Sequence, residues 1–114
     1  MAITEIMATL QKVRLAKTAV GSARNTPGLS QEQSDTLDSA YVTLDEVENK
    51  LILQDIGQWI AVIEADGNKL AGLATQIQAA ITNLQSVAHL VQGAATAIGA
   101  LASIISKGLS SGLI

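Results

Sequence analysis

The residues best able to move a proton or hold an ion are few in this chain, and their spacing argues against either role. His89 is the single histidine and stands between Ala88 and Leu90. Di-metal helical bundles set a Glu three residues before the ligating His; here that position is Ser86. His89 therefore reads as a structural or solvent-facing side chain, and as a group whose charge would appear with acid on a nearly neutral helix. There is no cysteine, which removes disulfides and thiolate ligands. Asp38, Asp45, Glu48 and Asp55 recur at seven, three and seven residues, which puts them on one helix face. Carboxylates gathered in a cleft can do acid–base work or bind divalent cations, but a row along a helix reads as a solvated stripe. Glu64-Ala65-Asp66-Gly67-Asn68 lacks the alternating ligands and closing Glu of a calcium loop. Arg24-Asn25-Thr26-Pro27-Gly28 lacks phosphate-loop spacing, and no Ser/His/acid set can be assembled. The expectation is a non-enzymatic protein with no catalytic, cofactor-binding or metal-ligating residues.

Composition sets the frame for such a protein. Hydrophobic residues make up 48% of the 114, yet there is no Phe, one Trp and one Tyr. A core built from Leu, Ile, Val and Ala suits close helix packing. With one proline and no regularly spaced turn signals, the chain reads as all-α. The first residues, Met1-Ala2-Ile3-Thr4-Glu5-Ile6, carry neither a basic start nor a long apolar run, so a secretory signal is not expected. The default location is the cytoplasm, with signal-independent export as the alternative. The net charge of −3 and the lack of a basic, aromatic-studded patch give no reason to expect nucleic acid, and no small-molecule substrate is predicted.

That net charge is unevenly distributed. Residues 1–29 sum to +3, residues 30–66 to −8 and residues 67–114 to +2. The simplest consequence is a basic first helix packed beside an acidic second one. Docking of the basic segment on anionic lipid or an acidic partner is the alternative.

The apolar periodicity predicts one domain over 1–114: a short N-terminal helix followed by a long antiparallel helical hairpin, a three-helix, coiled-coil-like bundle. The first helix spans about 3–20 on Ile3, Ile6, Met7, Leu10, Val13 and Val20, with Lys17 interrupting the stripe. Residues 21–29 supply Gly, Asn and Pro-Gly loop chemistry. Ser30 and Gln33 match a capping box that opens a helix over about 30–65. Its stripe of Leu37, Tyr41, Leu44, Val47 and Leu51 then shifts by one to Ile52, Ile56, Trp59 and Ile63, in the manner of a heptad stutter. Asp66-Gly67-Asn68 is read as the turn over 66–68, the third helix as about 69–107, and 108–114 as a flexible tail.

The third helix is the most distinctive segment. From Leu70 to Ser106 there are 37 residues without Asp, Glu, Lys or Arg. Leu70, Ile77, Leu84, Val91, Ile98 and Ile105 form one heptad row, and Leu73, Ala80, Val87, Ala94 and Leu101 the other. A first helix half as long as the hairpin leaves part of this seam uncovered. The expected function is thus helical interaction or assembly, as a homo-oligomer or with a helical partner, through Ile77, Leu84, Val91, Ile98, Leu101 and Ile105. The alternative is a membrane-active protein, a pore-forming or translocation component that inserts the uncharged Ala/Gly/Ile-rich stretch 90–106. Gly93 with Ala97 and Gly99 with Ser103 have the spacing that permits close helix approach. Trp59 is a candidate interfacial anchor at a protein or lipid surface.

Overall fold

The computed structural model describes residues 3–52, 59–80 and 84–110. Among these, every regular element is a helix: α1 (Ile3–Ala23), α2 (Gln31–Ile52), α3 (Ile60–Ala80) and α4 (Gln85–Ser110). Each helix packs on its sequence neighbour, and α4 returns to pack on α1, closing the ring of a four-helix bundle. The direction of each pair follows from its contacts. Arg14 meets Glu48 and Arg24 meets Asp38, so α1 and α2 are antiparallel. Lys50 lies over Trp59 while Asp66 faces Glu46, which sets α3 antiparallel to α2. The body measures 51 × 19 × 19 Å, the proportions of a single bundle of helices about 30–40 Å long.

The all-α expectation holds, but the three-helix hairpin is replaced by four helices. Asp66-Gly67-Asn68 is not a turn; it lies inside α3. A glycine in a helix interior costs only about 1 kcal/mol relative to Ala. At Gly67 the missing side chain lets α3 approach α4, because a Cβ there would lie 2.8 Å from Ile98 Cγ2. The stripe shift at Leu51 and Ile52, read as a stutter, instead coincides with the end of α2. The long third helix is likewise two elements, α3 ending at Ala80 and α4 beginning at Gln85. Thr82-Asn83, residue types favoured just ahead of helix starts, was the available signal. The loop over 21–29 is shorter than expected because α1 runs on to Ala23, and α4 extends to Ser110 where a tail was expected. Residues 111–114 lie outside the described set, as do Asp55 and Ile56.

Local chemistry explains the α1–α2 turn well. Asn25 and Thr26 amides donate to the Ser22 and Ala23 carbonyls, winding down α1, and Gly28 takes a left-handed φ of 84°. The capping box then opens α2 as expected. The Gln33 amide donates to Ser30 Oγ at 3.1 Å, and the Ser30 amide donates to Gln33 Oε1 at 2.9 Å.

The interior is aliphatic apart from Thr9, Thr43 and Asp66. Val13, Val20, Leu37, Leu44, Leu51, Ile63, Leu70, Ile77, Val91, Ile98 and Leu101 are all essentially inaccessible. At about 25 cal/mol per Å² of apolar area removed from water, each of these contributes roughly 1.5–3 kcal/mol against the entropy of ordering the chain. Ala16, Ala40, Ala74, Ala94 and Ala102 are buried among them.

Candidate functional site

Three features of the bundle carry its chemistry: an ion-paired seam, a buried acid and an uncharged surface stripe. The seam lies between α1 and α2, where the opposite charges of the first two segments meet. Lys17 Nζ donates to Asp45 Oδ1 at 2.6 Å and to Glu48 Oε1 at 2.8 Å. Arg14 Nε donates to Glu48 Oε2 at 2.8 Å, and Arg24 Nε pairs with Asp38 Oδ1 at 2.8 Å. Two acid partners hold the Lys17 ammonium well above the usual lysine range, and Lys17 with Arg14 holds the Glu48 carboxyl below its ordinary value. Lys17 and Arg24 also lie over the Tyr41 ring, 5.4 and 4.6 Å from its centroid. The carboxylate row Asp38, Asp45 and Glu48 is thus not a free solvated stripe. It is the acidic half of an interhelical seam, and Tyr41 is part of the same contact.

The buried acid is Asp66, which sequence reasoning placed in a turn. It lies in the core-facing row Ile63, Asp66, Leu70, Leu73 and Ile77 of α3, in a position that otherwise takes an apolar residue. That three-and-four spacing was the signal that could have found it. Its Oδ2 is buried without a hydrogen-bond partner. Glu46, on α2 across the interface, is the acidic neighbour whose charge acts on it. A hydrogen bond between the two carboxyls would require one of them to keep a proton. Burial first, and then the Glu46 charge, push Asp66 up to about 6 from its usual 3.8. Glu46 is held below its ordinary value by Lys50, whose Nζ donates to Glu46 Oε1 at 2.8 Å while standing over the Trp59 ring.

The third feature is the outside of α4. The predicted interaction residues Ile77, Val91, Ile98, Leu101 and Ile105 are buried in the chain's own core, with Leu84 partly buried against it. These rows build the interior of the single chain. What α4 leaves outside is a second row at the same three- and four-residue steps: Leu90, Gly93, Ala97, Ala100 and Ile104. At 100° per residue it is rotated about a third of a turn from the buried rows. Leu90 and Ile104 at its ends are 41% and 42% exposed. A Cβ added at Gly93 would meet nothing within 4 Å, so the row is open there, and Ala97 at its centre is half-buried. His89 is exposed on the polar side of the same helix, and Trp59, 36% exposed, stands just ahead of α3 beneath Lys50.

Among the described residues, hollows lined by charged groups lie over the α1–α2 seam, one beside Arg14, Lys17, Tyr41 and Glu48 and one beside Arg24, Asp38 and Tyr41. A hollow of about 600 Å³ is lined by α1 alone, among others by Met7, Leu10 and Leu15, which makes it the flank of one helix. Among the described residues no group of three or more His, Asp or Glu side chains is placed to share a metal ion. No protein-family model, curated protein or solved structure matches this chain.

Proposed function

We propose that this chain is a non-enzymatic assembly module that pairs with a second copy of itself along the outer row of α4. The observation that carries this reading is the second heptad row, uncharged and open, on a helix whose first row is already used inside the bundle. Its residues are nearly palindromic. Leu90 and Ile104 are equidistant from Ala97, with Gly93 and Ala100 between them and the centre. Two copies laid antiparallel about Ala97 would set Leu90 against the other copy's Ile104 position and small residues against small residues. Such an arrangement is self-complementary, as a two-fold interface requires, and Gly and Ala permit close backbone approach. From Gln85 to Ser106 no charged side chain has to be desolvated.

Sedimentation equilibrium at tens of micromolar tests this reading. A dimer that dissociates on dilution is the expected result, and a strict monomer over that range overturns it.

A second reading, insertion of α4 into a bilayer, is favoured by one observation. The charge-free stretch Gln85–Ser106 lies in a single helix of 26 residues, and at 1.5 Å per residue it is about 33 Å long, close to the roughly 30 Å of a hydrocarbon core. An 18-residue window within Gln85–Lys107 has a mean hydropathy of 1.5, and 44% of that window is already buried in the bundle. Gln92, Thr96 and Ser103 on the exposed side would then face lipid, which makes this the weaker reading. Release of dye from anionic liposomes at micromolar protein supports it, and intact liposomes remove it.

A further inference from the structure

Asp66 is a buried acid that neither assembly nor packing explains, since an apolar residue in its place would complete the α3 core row. We propose that Asp66 and Glu46 form a proton-operated latch between α2 and α3, closed when the two carboxyls share a proton and loosened when that proton leaves. The geometry has four parts. Asp66 is 9% exposed, with one oxygen lacking any partner, so its ionised form has little to solvate it. Glu46 faces it from α2 and is the acceptor that a protonated Asp66 can serve. Lys50, also on α2, is engaged with Glu46, and Lys69 acts from α3 itself. On α4 the only titratable residues are His89 and Lys107, each nine residues along the helix from Ile98, the residue beside Gly67. That is about 13 Å in either direction, so α4 places neither group at Ile98's level.

The direction of the latch follows from where the proton is held. With Asp66 at about 6 and an unfolded value near 3.8, the folded chain binds the proton more tightly. The latch is therefore closed in mild acid and loosens as pH rises through about 6, the reverse of a switch opened by acid. Loosening leaves two carboxylates on facing helices and weakens the hold of α2 on the α3–α4 pair.

Trp59 is the chain's one tryptophan, and Lys50 stands 5.6 Å from its ring centroid while bonded to Glu46. Its emission should respond to the state of the pair. The test is a titration of Trp59 fluorescence from about pH 4.5 to 8, with hydrogen exchange of α3 amides at both ends. The expected result for the native chain is a transition near pH 6, with α3 exchanging at least tenfold faster at pH 7.5 than the intrinsic pH effect accounts for. Asp66→Asn, which donates to Glu46 as the protonated acid does, should abolish both changes. Glu46→Gln should move the transition to lower pH. A flat native profile, a transition that survives Asp66→Asn, a midpoint unmoved by Glu46→Gln, or a transition lost in His89→Asn would each overturn the latch.

Discussion

Gly67 of α3 lies directly against Ile98 of α4, so closely that an added Cβ would stand 2.8 Å from Ile98 Cγ2 and 3.3 Å from Ile98 Cβ. Ile98 is fully buried. Gly67→Ala gains about 1 kcal/mol of helix propensity and incurs an overpacking cost of about 1–3 kcal/mol. The expected net is a loss of up to about 2 kcal/mol. Gly72, five residues on in the same helix, meets nothing within 4 Å. Gly72→Ala should therefore stabilise by about 0.5–1 kcal/mol. Urea denaturation of the two variants checks the opposite signs.

Lys17 interrupts the apolar stripe of α1, and the seam explains why. Its stem packs inward while its ammonium joins Asp45 and Glu48 of α2. Lys17→Met keeps the stem and removes the charge. Because Asp45 is half exposed and Glu48 retains Arg14, the loss should be modest, about 1 kcal/mol. Lys17→Ala should cost more, since the stem goes too. Raising the salt concentration should narrow the difference between native chain and Lys17→Met, which denaturation at low and high ionic strength reads directly.

The contrast between Lys17 and Gly67 shows what could be read from the residues and what could not. Helical class, the capping box of Ser30 and Gln33 and the charge match of the first two helices follow from types and spacing that act locally or along one face. Gly67 next to Asp66 and Asn68 has the local chemistry of a turn, and its close packing on Ile98, 31 residues away, is a contact that local chemistry does not announce. The heptad rows of α4 were recognised, but periodicity identifies a buried face without saying which molecule buries it. Four helices of similar length bury that face within one chain, where a short first helix and a long hairpin would have left it open. Asp66 was hidden for a related reason: assigning it to a turn concealed its place in the Ile63–Ile77 row.

Asp66 and Glu48 pull the stability of the bundle in opposite directions with pH. Asp66 is raised, so its contribution is most favourable below about pH 4 and is lost as pH rises through about 6. Glu48 is lowered by Lys17 and Arg14, so its contribution is present above the ordinary carboxylate range and is lost as pH falls through its depressed value. Stability should therefore peak at about pH 4–4.5, where Glu48 is ionised and folded Asp66 keeps its proton, and decline from there to about pH 6. Asp66→Asn should raise stability at pH 7.5 by about 1–2 kcal/mol and change it little at pH 4.5. Thermal melts across this range would show the native optimum shifting toward neutral pH in the variant.

The outer row of α4 can be separated from the core row by where a charge is placed. Ile98→Asp buries a carboxylate in the interior and should unfold the bundle, so it reports nothing about association. Ala100→Glu alters an exposed position of α4, where substitutions away from special features stay within about 0.5 kcal/mol of neutral. In the antiparallel pair, Ala100 falls near the other copy's Gly93, so a glutamate there is desolvated in an uncharged seam, with its symmetry mate about 9 Å along it. Dissociation should strengthen at least tenfold while helicity and melting of the single chain stay unchanged. Met7→Glu, on the exposed flank of α1, supplies the same added charge away from the row and should leave the dimer intact. If both variants weaken association equally, overall charge is responsible and the α4 seam is not the interface.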